Sequence, residues 1–533
     1  MTEITFSSSL GRPTRILILL VVTLVTCMEF LTNYAVGVAL PDIQGDLGAS
    51  FDEGSWILTA YNTCFLLGLV ASNALTDRIG NRTYMLIATS VFALAAAGCG
   101  LSHTLGEMLG FRCLMGFAGG TFLVRAQTAI YRIYPLPART KPLIFFSLCV
   151  VGAARTCGAM VGGYLTEWYS WRAIFFLNLP FALTAVVILA GCLPNLRVKM
   201  VRKYPDFLGM LLLAGWVVPI QIVLSRGERD DWFADPLIQW LAATAVLCLP
   251  LFIWWELRVG NRTPVISLRT YANRNFVVGS IYVLVLGMML YGQLYVIPQF
   301  LRNVQSHSSW ETGVLQSFNA AAFFVGIAVG GLLMRSIGVR LTLAGGAAVF
   351  CAGMLIWATR LSIGISNEAM LLPLALTGLG AGWQIGPLSR LINSETPPVL
   401  LGEGMELYLL QRQLGGSWGI AILTIMVDRR RSLWSERLGE GVNSYNLVFQ
   451  EQLRSGALVP HAAGFPAGQA QGVSLGLIHG RLLVQSIVNA FTDTFYYQAA
   501  LAAFALLLIV AFAHRRHLIT AWRWSTGLIY STR

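Results

Sequence analysis

The chain holds 533 residues, of which 56% are apolar and 12% charged, far from the roughly 25% charged residues of soluble domains, and its mean hydropathy of +0.65 requires lipid as solvent. The net charge of +12 would suggest nucleic acid in a soluble protein, but the basic residues fall in short loops beside apolar runs, so they read as orientation signals and no nucleic-acid partner is expected. The cysteines lie in apolar stretches with no close pair at metal-ligand spacing, so they read as small buried hydrophobes, and neither a metal nor a cofactor is expected.

Met1 to Arg15 is polar and leads into an apolar run too long for a signal-peptide core, so the first helix is expected to be retained. A bilayer core of roughly 30 Å takes about 20 apolar residues per helix. Such runs place a first group of spans at Ile16 to Val38, Trp56 to Leu75, Tyr84 to Leu101, Met108 to Ile130, Leu143 to Leu165 and Trp171 to Leu193. Two more follow at Phe207 to Leu224 and Leu237 to Trp255. The last group lies at Phe276 to Pro298, Gly313 to Met334, Leu341 to Leu361, Met370 to Leu391, Gly404 to Val427 and Thr494 to Phe512. The expected fold is all-α and integral to the membrane, with about fourteen transmembrane helices. Its division is an N-terminal six-helix bundle over 1–200, two additional helices over 201–262, and a C-terminal six-helix bundle over 263–533. The last unit carries a loop at about 428–493, within which Leu433 to Leu453 suits an amphipathic helix and Ala462 to Gly472 is Gly and Ala rich, hence expected to be flexible.

Alternate loops are basic: Arg78 and Arg82; Arg132, Arg139 and Lys141; Arg197, Lys199, Arg202 and Lys203; Arg258, Arg262, Arg269 and Arg274; Arg335 and Arg340. These loops, and both termini with Arg12, Arg15, Arg515 and Arg516, are expected in the cytoplasm. The intervening loops carry Asp42, Asp46, Asp52 and Glu53, then Glu228, Asp230, Asp231 and Asp235. The loop at 428–493 should be external although it opens with Arg429, Arg430 and Arg431, since long loops cross with little regard to charge. It reads as a solvated lid or a docking surface.

An internal repeat is also present. Asn73 to Arg82 (NALTDRIGNR) after the second span matches Gly331 to Arg340 (GLLMRSIGVR) after the tenth, with Gly80 and Gly338, Arg82 and Arg340 in register. Duplicated halves with a substrate site between them are a transporter architecture. The first of these loops resembles the signature of the major facilitator superfamily, Gly, x, Leu, x, Asp, Arg, x, Gly, x, Arg. Val38 to Pro41, Arg112 to Gly120, Cys157 to Gly163, Trp171 to Pro180 and Arg412 to Ser417 are similar to motifs of the fourteen-spanner drug:proton antiporters of the EmrB and QacA type. The resemblance covers essentially the whole chain. It implies two six-helix bundles with pseudo-two-fold symmetry around a central cavity, plus two extra helices between them. The departures are Thr32 where the family usually has an Asp, Asn73 for the first Gly of the loop signature, Met115 for a common Gln, and Ala159 for a Pro.

An ionisable side chain deep in a bilayer costs roughly 3 kcal/mol by insertion scales, so each needs a reason. Glu29 is the one carboxylate deep within an expected span, thirteen residues past Ile16 and so about 20 Å along the helix. It is the candidate proton carrier, with Arg112 as the cation that the resemblance credits with influence over it; the alternative is a static ion pair. Asp77, Arg78, Gly80 and Arg82 form a candidate conformational latch, and Gly158, Gly162 and Gly163 suit close helix approach. Arg155, in span five, has two open readings, pairing with Glu29 or holding an anionic substrate group. Tyr291, Gln293, Asn319, Gln384 and Arg412 are further cavity candidates, with helix-to-helix hydrogen bonding as the alternative for each.

The resemblance implies a proton-coupled antiporter of a bacterial inner membrane that exports small amphipathic or toxic compounds by alternating access. Its expected partners are those substrates, protons, membrane lipid, and a periplasmic adaptor with an outer-membrane channel. Export of one endogenous metabolite, a siderophore or a fatty or organic acid is the alternative. A membrane sensor or enzyme on a transporter scaffold would need a catalytic cluster at one membrane face, and the sequence offers neither that nor an ATP-binding motif, so an enzyme is not expected.

Overall fold

The structure is a computed structural model that describes residues 11–134, 138, 140–192, 206–258, 265, 266, 268, 271, 274–393, 401–443 and 445–513. The described residues contain helices and no strand, as lipid demands, because a helix satisfies its own backbone polar groups where no water can. In chain order the α-helices are α1 (Arg12–Leu47), α2 (Phe51–Ile79), α3 (Asn81–Leu101), α4 (Leu105–Gly119), α5 (Phe122–Ile133), α6 (Thr140–Ser147), α7 (Ala154–Trp168), α8 (Arg172–Phe176) and α9 (Asn178–Cys192). They continue with α10 (Phe207–Arg226), α11 (Pro236–Leu257), α12 (Arg274–Asn303), α13 (Ser309–Ser336), α14 (Val339–Arg360), α15 (Asn367–Asn393), α16 (Leu401–Gly439), α17 (Leu447–Ala462) and α18 (Ala467–Ala513). The outward faces are apolar: Leu94 is 72% exposed, Trp240 74% and Leu332 68%, an inside-out pattern that only a bilayer accommodates.

Thirteen of the described stretches are long and apolar enough to cross a membrane. The expected span at Gly404 to Val427 lies inside α16 but is not among them; this helix carries Gln411, Arg412 and Gln413 where its neighbours are apolar. Three expected spans are not single regular helices. Span four breaks at Gly120 and Thr121 between α4 and α5, span six breaks at Leu177 between α8 and α9, and span five contains a π-helical turn, Leu148–Ala153, between α6 and α7.

The first helices pack as α1 on α7 and α9, α2 on α4, and α3 on α4 and α9; the later ones as α12 on α16, α13 and α14 on α15, and α18 on α14 and α16. Between the halves α2 meets α16 and α7 meets α13. The repeat maps α2 onto α13 and α7 onto α16, so each contact is the other's image. The duplication also extends beyond the loop motif. Helices α2 and α13 both start with a capping box, Ser50 with Glu53 and Ser308 with Glu311. Both lead to a glycine in a conformation closed to other residues, Gly80 at φ 86° and ψ 152°, Gly338 at φ 85° and ψ 164°. Helices α10 and α11 pack on each other, and α10 lies against α2 and α16.

The segment at 428–493 is not a loop. Helix α16 runs on to Gly439, and α18 starts at Ala467, far ahead of the expected Thr494. The amphipathic stretch expected at Leu433 to Leu453 is split between α16 and α17, and the stretch expected to be flexible is a short turn followed by the first residues of α18. At 1.5 Å per residue the 47 residues of α18 span about 70 Å, more than twice a bilayer core. Trp434 donates to Asp493 at 2.9 Å and Arg430 lies 3.5 Å from the same carboxylate, joining α16 to α18; Ser474 bonds the Leu453 carbonyl at 2.9 Å, joining α17 to α18.

Candidate functional site

Glu29, in α1, is 3% exposed. The Tyr61 hydroxyl of α2 donates to its Oε1 at 2.8 Å, while Oε2 is buried without a hydrogen-bond partner among the described residues. Arg112 of α4 is fully buried and lays its guanidinium 4.3 Å from the centre of the Tyr61 ring. Its Nε donates to the Ile57 carbonyl at 3.2 Å, and its Nη2 has no partner among the described residues. Glu29 and Arg112 therefore do not form the expected direct ion pair: Tyr61 stands between them, hydroxyl to the acid and ring face to the cation. Gly119 makes room for this stack, since a Cβ there would fall 2.9 Å from Tyr61 Oη and 3.1 Å from Glu29 Cγ. Thr32, standing where the resemblance expects an acid, lies 2.9 Å from Asn178 Oδ1, a neutral polar pair.

Arg155 corrects the expectation that it pairs with Glu29. It is 4% exposed, and its guanidinium lies 3.7 Å from the centre of the Phe323 ring and 5.0 Å from that of Tyr34. The π-helical turn just before it explains the miss. One extra residue in a turn rotates everything after it by about 100° relative to a regular helix, so a periodicity drawn from Leu143 points Arg155 the wrong way.

Two narrow cavities lie where the halves meet. One, of about 20 Å³, touches Glu29, Asn33, Tyr34, Tyr291, Arg412 and Gln413. Tyr291 donates to Gln413 Oε1 at 2.8 Å, and Gln413 Nε2 donates to Asn62 Oδ1 at 2.6 Å, so α12, α16 and α2 are tied through one side chain. The other, of about 10 Å³, touches Tyr34, Arg155, Gln293, Gln316 and Asn319. Both are of water size, so this is a contracted state.

Of the expected cavity residues, Arg155, Tyr291, Gln293, Asn319 and Arg412 border these cavities. Asn319 spends its amide on helix packing, donating to the Leu374 carbonyl at 2.8 Å and to Thr377 at 3.1 Å. Gln384 borders neither cavity: it accepts from Tyr282 at 2.6 Å and donates to Gly380 at 2.8 Å inside the second half.

The span-five glycines split their task. A Cβ on Gly158 would meet the Leu31 carbonyl at 2.7 Å and one on Gly162 the Ala35 Cα at 2.5 Å, both on α1. Gly163 faces the backbone of α13, and reciprocally a Cβ on Gly313 would lie 2.6 Å from the Ala159 carbonyl. In the loop motif, Arg82 donates to the Ala190 carbonyl of α9 and Arg78 lies over the Phe207 ring. The Asp77 side chain lies outside the described residues, as do Arg139, the basic positions from Arg197 to Lys203, Arg262, Arg269 and both termini.

At the end bearing the acidic loops, the halves are joined. Arg302 pairs with Asp42, Ser309 donates to Asp42 at 2.7 Å and from its amide to Glu167 at 2.9 Å, and Gln299 donates to Gln44 at 3.0 Å. Arg229 pairs with Glu53 and Arg429 with Glu228, linking the loop after α10 to α2 and to α16. The Arg429 guanidinium and then the Trp232 indole hold the Glu228 carboxyl below the usual carboxylate range.

Repeated helical halves that enclose buried polar cavities and close at one end define a membrane transporter. The chain belongs to the Major Facilitator Superfamily, whose sequence profile matches residues 22–420. It is 26% identical over 494 residues, 93% of this chain and 94% of the relative, to the Multidrug export protein EmrB of Escherichia coli (strain K12). It is 27% identical over 470 residues, 88% of this chain and 90% of the relative, to the Fatty acid resistance protein FarB of Neisseria gonorrhoeae. Among solved structures its fold is similar to that of a bacterial homologue of the human lysosomal transporter Spinster, with a TM-score of 0.61 at 15% identity, covering 94% of this chain and 98% of that one.

Proposed function

We propose that this protein exports small amphipathic compounds across a bacterial inner membrane in exchange for protons, by alternating access, with both termini in the cytoplasm and the acidic loops outside. In this reading residues 1–200 and 263–533 rock against one another while the helices within 201–262 brace their edge. The external end is the closed one here. The observation that carries the reading is Glu29: a buried carboxylate with one oxygen unpartnered among the described residues, bordering a cavity that the second half completes with Arg412 and Gln413. It takes a proton when open to the outside and gives it up inside. Tyr61 stabilises the anion by donating to it, and Arg112 acts on Tyr61 through the face of its ring. The resemblance in sequence to export proteins along nearly the whole chain supports export as the direction.

The glycines of α7 form the sliding contact between α1 and α13, and Asp77, Arg78, Gly80 and Arg82 form the cytoplasmic latch. The helical hairpin of α16, α17 and α18 docks a periplasmic adaptor, its tip carrying Tyr445 at 93% and Leu447 at 79% exposure. Glu29→Gln in proteoliposomes tests the central claim. Substrate counterflow should persist while transport driven by an imposed pH gradient is lost. Undiminished gradient-driven transport would remove Glu29 as the carrier.

A further inference from the structure

The small cavity between α7, α12 and α13 holds a combination of groups that nothing so far described uses. Arg155 is 4% exposed and its Nε lacks a hydrogen bond among the described residues. Gln293, 1% exposed, leaves both amide heteroatoms unpartnered, and Gln316, 5% exposed, leaves its Oε1 unpartnered. All three border the same cavity, together with Tyr34 and Leu294. Buried polar groups are otherwise paired almost without exception, and each orphan costs about 1 to 3 kcal/mol. No carboxylate pairs with Arg155 among the described residues, and the Phe323 and Tyr34 rings offset only part of the charge. The π-helical turn before Arg155 aims this cation inward, and such turns are frequent at functional sites. A guanidinium fork with an amide donor beside it matches a carboxylate, which accepts two parallel N–H bonds. Leu294, Tyr34 and Phe323 offer apolar surface to the rest of the molecule.

We infer that this cavity, once expanded, seats the carboxylate head of an anionic amphipath on Arg155 and Gln293, so that organic acids with an apolar body are substrates. The inference rests on the proposed export function for its setting, but its test is binding and does not depend on transport. Purified protein in nanodiscs is titrated with decanoate, and with decanol and decyltrimethylammonium as probes of the same chain length. Wild type should bind decanoate at least about tenfold more tightly than either control, the value of one charge-assisted hydrogen bond. Arg155→Gln should remove that preference while decyltrimethylammonium binding stays level or rises. Arg155→Lys should restore part of it, and Gln293→Leu should weaken decanoate alone. Wild type that binds the cation or the alcohol as tightly as decanoate, or that binds no decanoate, overturns the inference without any variant. Equal losses for all three probes in Gln293→Leu would also overturn it. If decanoate binding depends on Arg155 but Glu29→Gln leaves gradient-driven transport intact, the proton-exchange reading fails and the anion seat stands.

Discussion

Gly313→Ala puts one methyl group into the seam between the halves. The added Cβ would lie 2.6 Å from the Ala159 carbonyl and 3.1 Å from the Gly163 Cα, backbone atoms that cannot swing aside. Ordinary contact begins at 3.4 Å, so α13 and α7 must part by 3.4 − 2.6 = 0.8 Å. That displacement carries Ser309, one turn away, from 2.9 Å to about 3.7 Å from Glu167, and puts the bonds from Ser309 to Asp42 and from Ser317 to the Thr156 carbonyl at similar risk. Each bond contributes about 1 kcal/mol. Losing two of the three shifts the closed state by about 2 kcal/mol, or roughly 30-fold. Hydrogen exchange on the protein in nanodiscs should accelerate by about that factor at 303–312 and at the end of α7, with no change at the Gly338 turn. Exchange at wild-type rates in both segments would refute the claim that these helices seal the external end.

Other substitutions separate the parts of the site. Tyr61→Phe keeps the ring for Arg112 but removes the hydroxyl bonded to Glu29; gradient-driven transport should fall by about tenfold or more with counterflow little changed, and an equal fall in both would assign Tyr61 to packing. Gly80→Ala and Gly338→Ala each force a Cβ into a conformation that only glycine adopts comfortably; each should cost about 1 to 3 kcal/mol in thermal melts, and a neutral result at either would break the equivalence of the two turns. Arg429 and Trp232 hold the Glu228 carboxyl below its ordinary value. Its contribution is therefore complete above the ordinary carboxylate range and lost as pH falls through the lowered value. Iodide quenching of Trp232, taken as the difference from Trp232→Phe, should rise in acid below about pH 4 and lose that step in Glu228→Gln; a wild type without the step would count against the contact.

Much of this was legible from residue types. Apolar runs located the membrane helices because lipid admits little else, and the coincidence of Gly80 with Gly338 announced the duplication that the capping boxes at Ser50 and Ser308 complete. Glu29 stood out because a carboxylate among apolar neighbours must be explained. Tyr61 did not, because a tyrosine in a span is an ordinary residue until another helix brings an acid to its hydroxyl. Spacing alone marks neither the π-helical turn nor the direction of Arg155, since a turn of that kind leaves composition unchanged. The helical hairpin was read as a loop because its residues are polar for a span. Hydropathy reports the solvent a helix meets, and α18 meets two in turn.

Because α16 and α18 pass unbroken from the bundle into this hairpin, the second half carries its own lever arm. About 40 Å of α18 lies beyond a bilayer core, so a tilt of that half by about 10° sweeps the tip through roughly 7 Å. Whatever grips the tip feels the state of the central cavity as a displacement. A clamp on the tip should in turn hold the transporter in one phase of its cycle, so that force applied outside the membrane governs when the cavity inside it can open.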